Sequence, residues 1–273
     1  MSAPMQQTTL PSGLVVALSD QGAGDPILFL HGVLMSSVFF EHNLEQFARN
    51  RRVLALDFRG HGQSPPVDGG HLVEQYAQDV HELLVHLDLH AVTVVGWSMG
   101  ALVAWEYLLQ HPEDSRIARH VVVSQGPSDF TQADWPYGIA DLAGVVGLHR
   151  AVQADVRGFL DGFIPLMLAE KPSSADHRRL LDSIAVIEAN TASAILVDQT
   201  LVDYRSRVKE LAVPHLLVWG TDEKVIAHAS GTWLWENLPD STLTVIEDTG
   251  HCPMWENPSA FAEVVQNWLD AQL

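Results

Sequence analysis

The chain has 273 residues, 47% of them hydrophobic and 18% charged, a composition that excludes an intrinsically disordered protein. Fifteen Lys and Arg against 34 Asp and Glu leave a formal charge of -19, so neither nucleic acid nor an anionic membrane surface is expected as a partner. A single cysteine, Cys252, excludes an internal disulfide framework; with no basic, apolar leader in residues 1–10 and no run near the roughly 18 apolar residues of a membrane span, a soluble cytoplasmic protein is expected.

In chain order, residues 14–18 read as an opening strand, and Ile27-Leu28-Phe29-Leu30 as a continuous apolar strand buried on both faces, ending in His31-Gly32-Val33. Ser36 or Ser37 then caps a helix to about Ala48, and residues 53–56 form the next buried strand, followed by Asp57-Phe58-Arg59-Gly60-His61-Gly62-Gln63-Ser64. Val73, Tyr76, Ala77, Val80, Leu83, Leu84 and Leu87 recur at three and four, the pattern of an amphipathic helix over 72–87. A buried strand over 92–95 leads into a helix to about Gln110, and Val121-Val122-Val123 is a further strand. This alternation predicts βαβ units and a mostly parallel, doubly wound α/β sheet.

The alternation stops over 126–210, where helical pieces are expected at 152–160, 165–169 and 178–190. That stretch is read as a helical cap or lid inserted into a core made of 1–125 and 211–273. Strands at 216–219 and 243–246, a helix at 229–237 and a closing helix with Phe261, Val264, Val265, Trp268 and Leu269 on one face complete the core.

The chemistry concentrates around Gly96-Trp97-Ser98-Met99-Gly100. Gly-x-Ser-x-Gly between a β-branched strand and an apolar helix fits a nucleophile elbow, with the small residues permitting close backbone approach. A serine hydroxyl needs a base, and the base needs an orienting group. His251, in the loop beyond the last strand, lies at the sheet edge where ligands bind and is the expected base. For the acid, Asp222 and Glu223 compete in the loop after 216–219; Asp129 and Asp248 are expected to serve turns or caps instead. The amides of Met99, at a helix start, and Val33, in the loop after 27–30, are the expected oxyanion donors. Trp97, Trp135 and Phe163 are expected at the substrate, Cys252 in packing, and His31 and His61 as braces around the site. His86 and His90 stand four apart with no third ligand evident, so no metal is expected.

Together, His31-Gly32, the Asp57–Ser64 segment, the serine pentapeptide and Gly250-His251-Cys252-Pro253 resemble the α/β-hydrolase superfamily, in its branch of serine esterases, lactonases and cofactor-free haloperoxidase-like perhydrolases. The resemblance spans nearly the whole chain and implies the α/β-hydrolase fold with its lid after the sixth strand. It also implies Ser98 as nucleophile, His251 as base and Val33 and Met99 as oxyanion donors, with a small-molecule ester or lactone as substrate and no cofactor. N-acyl homoserine lactones are one substrate it brings within range. In that superfamily the acid stands three residues after the glycine closing its strand; here that position is Glu223, with Asp222 one residue early. Perhydrolysis or cofactor-free oxygenation, and slow-turnover ligand sensing, are the alternative functions such a chain can have.

Overall fold

The computed structural model describes residues 4–272. Its strands are β1 (Gln6–Thr9), β2 (Val15–Gly22), β3 (Pro26–Leu30), β4 (Arg52–Asp57), β5 (Val92–Trp97), β6 (Ile117–Val123), β7 (His215–Gly220) and β8 (Ser241–Ile246). They form one sheet in the order β1-β2-β4-β3-β5-β6-β7-β8, antiparallel at β1/β2 and β2/β4 and parallel from β4 to β8. The apolar runs explain the parallel part: Ile27, Leu28, Phe29 and Leu30 are each 0% exposed, as a strand covered by helices on both faces requires. Each such side chain contributes roughly 1.5–3 kcal/mol on burial. β1 was not anticipated, because Gln6-Gln7-Thr8-Thr9 is polar and largely exposed.

The chain passes from β3 outward to β4 and then returns across to β5, so β3 and β5 flank the point where the winding reverses. Loops leaving the carboxyl ends of these two strands diverge there and open a crevice. Core helices cover the sheet: α1 (Glu41–Phe47), preceded by a 3-10 turn over Ser37–Phe40, α2 (Val73–His86), α3 (Met99–Gln110), α8 (His228–Asn237), α9 (Pro253–Glu256) and α10 (Pro258–Asp270). α2 buries Val73, Tyr76, Ala77, Val80, Leu83 and Leu84, the face that the three-and-four spacing marks out.

Between β6 and β7 lie four helices: α4 (Leu142–Ala154), α5 (Val156–Met167), α6 (Ser174–Ile184) and α7 (Ala189–Leu201). Their boundaries correct the sequence expectation. The segment 152–160 straddles a break at Asp155, whose carboxylate accepts from the Gly158 amide and caps α5. Pro165 sits inside α5 rather than opening a helix, and 178–190 spans the end of α6 and the start of α7. Ser173 caps α6 by accepting from the Asp176 amide. No single helix among the described residues is long and apolar enough to cross a membrane.

Candidate active site

Ser98 follows β5 directly and sits at φ 51°, ψ -124°, in the positive-φ region that costs a non-glycine residue free energy. The neighbouring glycines are what make this turn possible. A Cβ on Gly100 would lie 2.1 Å from the Leu30 carbonyl oxygen, and one on Gly96 would lie 2.6 Å from the Ala101 amide nitrogen. The elbow therefore presses β5 and α3 against β3 and holds Ser98 at the crevice.

The loop after β3 forms the facing wall. Its Val33 amide makes no backbone hydrogen bond among the described residues, and Leu34 adopts φ 62°. Met99 opens α3, where first-turn amides lack intrahelical partners; its side chain is fully buried, so only the amide can serve the crevice. His31 braces this loop. Burial pushes its ring down to about 4, so it is neutral near pH 7, accepting from the Phe58 amide through Nε2 at 3.1 Å. Nδ1 then donates to the Gly32 carbonyl at 2.8 Å. Asp57 holds the adjoining loop, accepting from the Ser37 and Gln63 amides at 2.7 and 2.8 Å.

On the other side, His251 follows β8 and Glu223 follows β7. A Cβ on Gly220 would come within 2.1 Å of the Thr249 carbonyl oxygen, so the bare glycine lets the two loops pack together. His251 Nδ1 meets Glu223 Oε2 at 2.8 Å, with side chains 2% and 0% exposed. The Val225 and Ile226 amides donate to Glu223 Oε1 at 2.6 and 3.1 Å. Burial alone would raise the Glu223 carboxyl, but the His251 ring and these two amides outweigh it and hold the group below its ordinary value. Asp222 is turned outward: its amide donates to the Thr249 carbonyl at 2.8 Å and its carboxylate is exposed. Of the two adjacent acids, only Glu223 reaches the imidazole.

Ser98 and His251 line a cavity of about 420 Å³ together with Val33, Trp97 and Phe163. Trp97 also donates from Nε1 to the His251 carbonyl at 2.8 Å. Trp135 does not line this cavity, contrary to expectation. It is 2% exposed, donates to the Ser128 carbonyl, and packs edge-on against Tyr137 and Trp233 with Arg205 over its ring. A larger surface depression of about 720 Å³ between α5 and α6 touches none of Ser98, His251 or Glu223. Cys252 is fully buried, and burial raises its thiol well above the ordinary range, which keeps it un-ionised.

Sequence reasoning missed three other residues. Asp129, expected in a turn, is 2% exposed and lines the cavity, bonded to Gln125 Nε2 at 2.8 Å and Gln199 Nε2 at 3.1 Å. Lys224 donates from Nζ to the Leu168 and Ala169 carbonyls at 2.9 and 3.1 Å. Glu256 accepts from the Gly250 amide at 2.8 Å and the Ala169 amide at 2.6 Å, while the His251 amide donates to Met167. The end of α5 is thus fastened to both loops that carry His251 and Glu223.

This architecture has counterparts. A pimeloyl-(acyl-carrier protein) methyl ester esterase of Aeromonas salmonicida is 27% identical over 258 residues, covering 93% of this chain and 99% of the relative. An esterase from Exiguobacterium antarcticum superposes with a TM-score of 0.91 at 23% identity, over 99% of this chain and 100% of that one. A bromoperoxidase from Bacillus anthracis does so at 0.91 and 23%, over 98% and 100%. The sequence pattern of the alpha/beta hydrolase fold family matches residues 25–258, across the elbow, both loops and all four inserted helices. With that match and the strand order described above, the chain belongs to the alpha/beta hydrolase fold family.

Proposed function

We propose that the protein hydrolyses carboxylic esters through an acyl-enzyme. The observation that carries this reading is the buried His251–Glu223 pair, bonded at 2.8 Å, with His251 lining the same cavity as a serine held in a positive-φ elbow. Ser98 attacks the ester carbonyl as His251 takes its proton; the bond to Glu223 fixes the ring tautomer and favours the imidazolium that forms. Charge developing on the carbonyl oxygen is met by the Val33 and Met99 amides. His251 then gives its proton to the departing alcohol, and later draws one from the water that breaks the acyl–Ser98 bond and restores the hydroxyl. No metal or cofactor enters any of these steps.

A lactone is an ester whose alcohol stays attached, so the same sequence of steps opens lactones, N-acyl homoserine lactones among them. The four inserted helices act as a cap: Leu148, Phe159, Phe163, Leu166 and Leu196 supply apolar wall for an acyl chain. The esterase relative supports the reaction class.

The test is steady-state hydrolysis of p-nitrophenyl esters of graded chain length and of an acyl homoserine lactone, with wild type beside Ser98→Ala. Multiple turnover is expected, with a loss of roughly a thousandfold or more in the variant. A variant that keeps its activity, or a wild type limited to one turnover, overturns the reading in favour of oxygen chemistry or ligand sensing.

A further inference from the structure

Among the described residues, five polar side chains reach the wall of the cavity: Ser98, His251, Asp129, Gln199 and Lys224. The first two belong to the reaction. Lys224 is committed through Nζ to the Leu168 and Ala169 carbonyls. Asp129 and Gln199 remain, and neither has a part in the acyl-enzyme steps.

They come from different elements, Asp129 from the loop after β6 and Gln199 from α7, and meet at the cavity wall. Both are almost fully buried, at 2% and 1% exposed. Gln199 Nε2 donates to Asp129 Oδ2 at 3.1 Å, while Gln199 Oε1 is buried with no hydrogen-bond partner among the described residues. A buried acceptor left unmade costs free energy, and Gln199 stands on the cavity wall.

We infer that Asp129 and Gln199 form a recognition subsite for a neutral hydrogen-bonding group, a hydroxyl or a secondary amide, carried by the substrate. This rests on the ester-hydrolase reading and narrows its substrate class. The pair can both donate and accept, as hydroxyls and amides do. Asp129 has amides rather than arginine or lysine as hydrogen-bond partners, so an anionic substituent finds no countercharge there. Burial pushes the Asp129 carboxyl up to about 7, which leaves about half of it un-ionised at pH 7 and weakens it as a partner for a cation. Asp129 and Gln199 line the same cavity as Ser98 and His251, so the subsite meets the molecule that the serine attacks.

The experiment is pH-stat hydrolysis by the full chain of four matched esters: butyl butanoate, butyl 3-hydroxybutanoate, 3-hydroxybutyl butanoate and butyl N-acetylglycinate. Wild type is expected to favour at least one of the last three over butyl butanoate by about tenfold or more in kcat/KM, because a site built around a hydrogen bond rejects the analogue lacking it. In Gln199→Met, similar in volume but apolar, that ratio falls to within about twofold, whereas Asp129→Asn, which keeps a donor and an acceptor, retains it. Should Gln199→Met not fold, the ratio is read in Gln199→Leu. A wild type without preference, or a preference that survives loss of the Gln199 amide, overturns the proposal. Failure of the ester-hydrolase reading looks different: no serine-dependent turnover of any of the four esters.

Discussion

Replacing Asp129 by Asn should make the protein more stable, and increasingly so as pH rises. Burial lifts the Asp129 carboxyl from 3.8 to about 7. A carboxyl raised on folding contributes stability that is complete below its unfolded value and disappears as pH climbs through its folded value. With each unit worth about 1.36 kcal/mol, ionisable Asp129 costs the fold about 2 kcal/mol at pH 5 and about 4 kcal/mol at pH 8. Asn has nearly the same shape and no ionisation cost; its single carbonyl oxygen keeps only one of the two amide hydrogen bonds, a loss that is the same at both pH values. Urea denaturation of both proteins at pH 5 and pH 8 reads the effect, and the difference between them cancels the other raised carboxylates, such as Asp57, Asp79 and Glu256. The stability gap in favour of Asn should widen by about 2–3 kcal/mol between the two pH values. A gap that stays constant, or narrows, would mean that water relieves the carboxyl and that the buried environment described here is wrong.

The remaining predictions concern the catalytic loops and the elbow. Glu223→Gln keeps the size of the side chain but loses the charge facing His251, so kcat should fall by roughly a hundredfold to ten-thousandfold, while Asp222→Asn, at an exposed carboxylate, should stay within about twofold; p-nitrophenyl ester kinetics compare the two directly. Gly100→Ala places a Cβ 2.1 Å from the Leu30 carbonyl oxygen, which should cost about 3 kcal/mol or more and show as a lowered melting temperature or insoluble protein. Glu256→Ala leaves the Gly250 and Ala169 amides without their acceptor and should cost about 2–4 kcal/mol in thermal unfolding; an unchanged melting temperature would mean that water replaces the carboxylate.

What could be read from the residues alone follows from how local each constraint is. Val92–Trp97 announces itself as a buried strand because its burial is set by its own side chains, and Gly96 and Gly100 stand where the elbow allows no Cβ. The choice between Asp222 and Glu223 is not local. It turns on the bond from the Asp222 amide to the Thr249 carbonyl, which joins loops 27 positions apart and rotates one carboxylate outward and the next inward. The inserted helices mislead for a related reason. Asp155 and Ser173 are capping residues whose meaning depends on which amide they meet, so apolar spacing alone slides helix ends across them. Trp135 looks like substrate wall because an aromatic residue in an insertion can face either way; Tyr137, Trp233 and Arg205 decide that it faces protein. Asp129 is the extreme case. Its environment is made by Gln199, 70 positions later on another element, and by burial that neither residue's neighbours in sequence foretell. Residues of this kind are where related chains that share an elbow and a histidine loop can diverge in the substrates they accept, because changing them leaves the local signals of the fold intact.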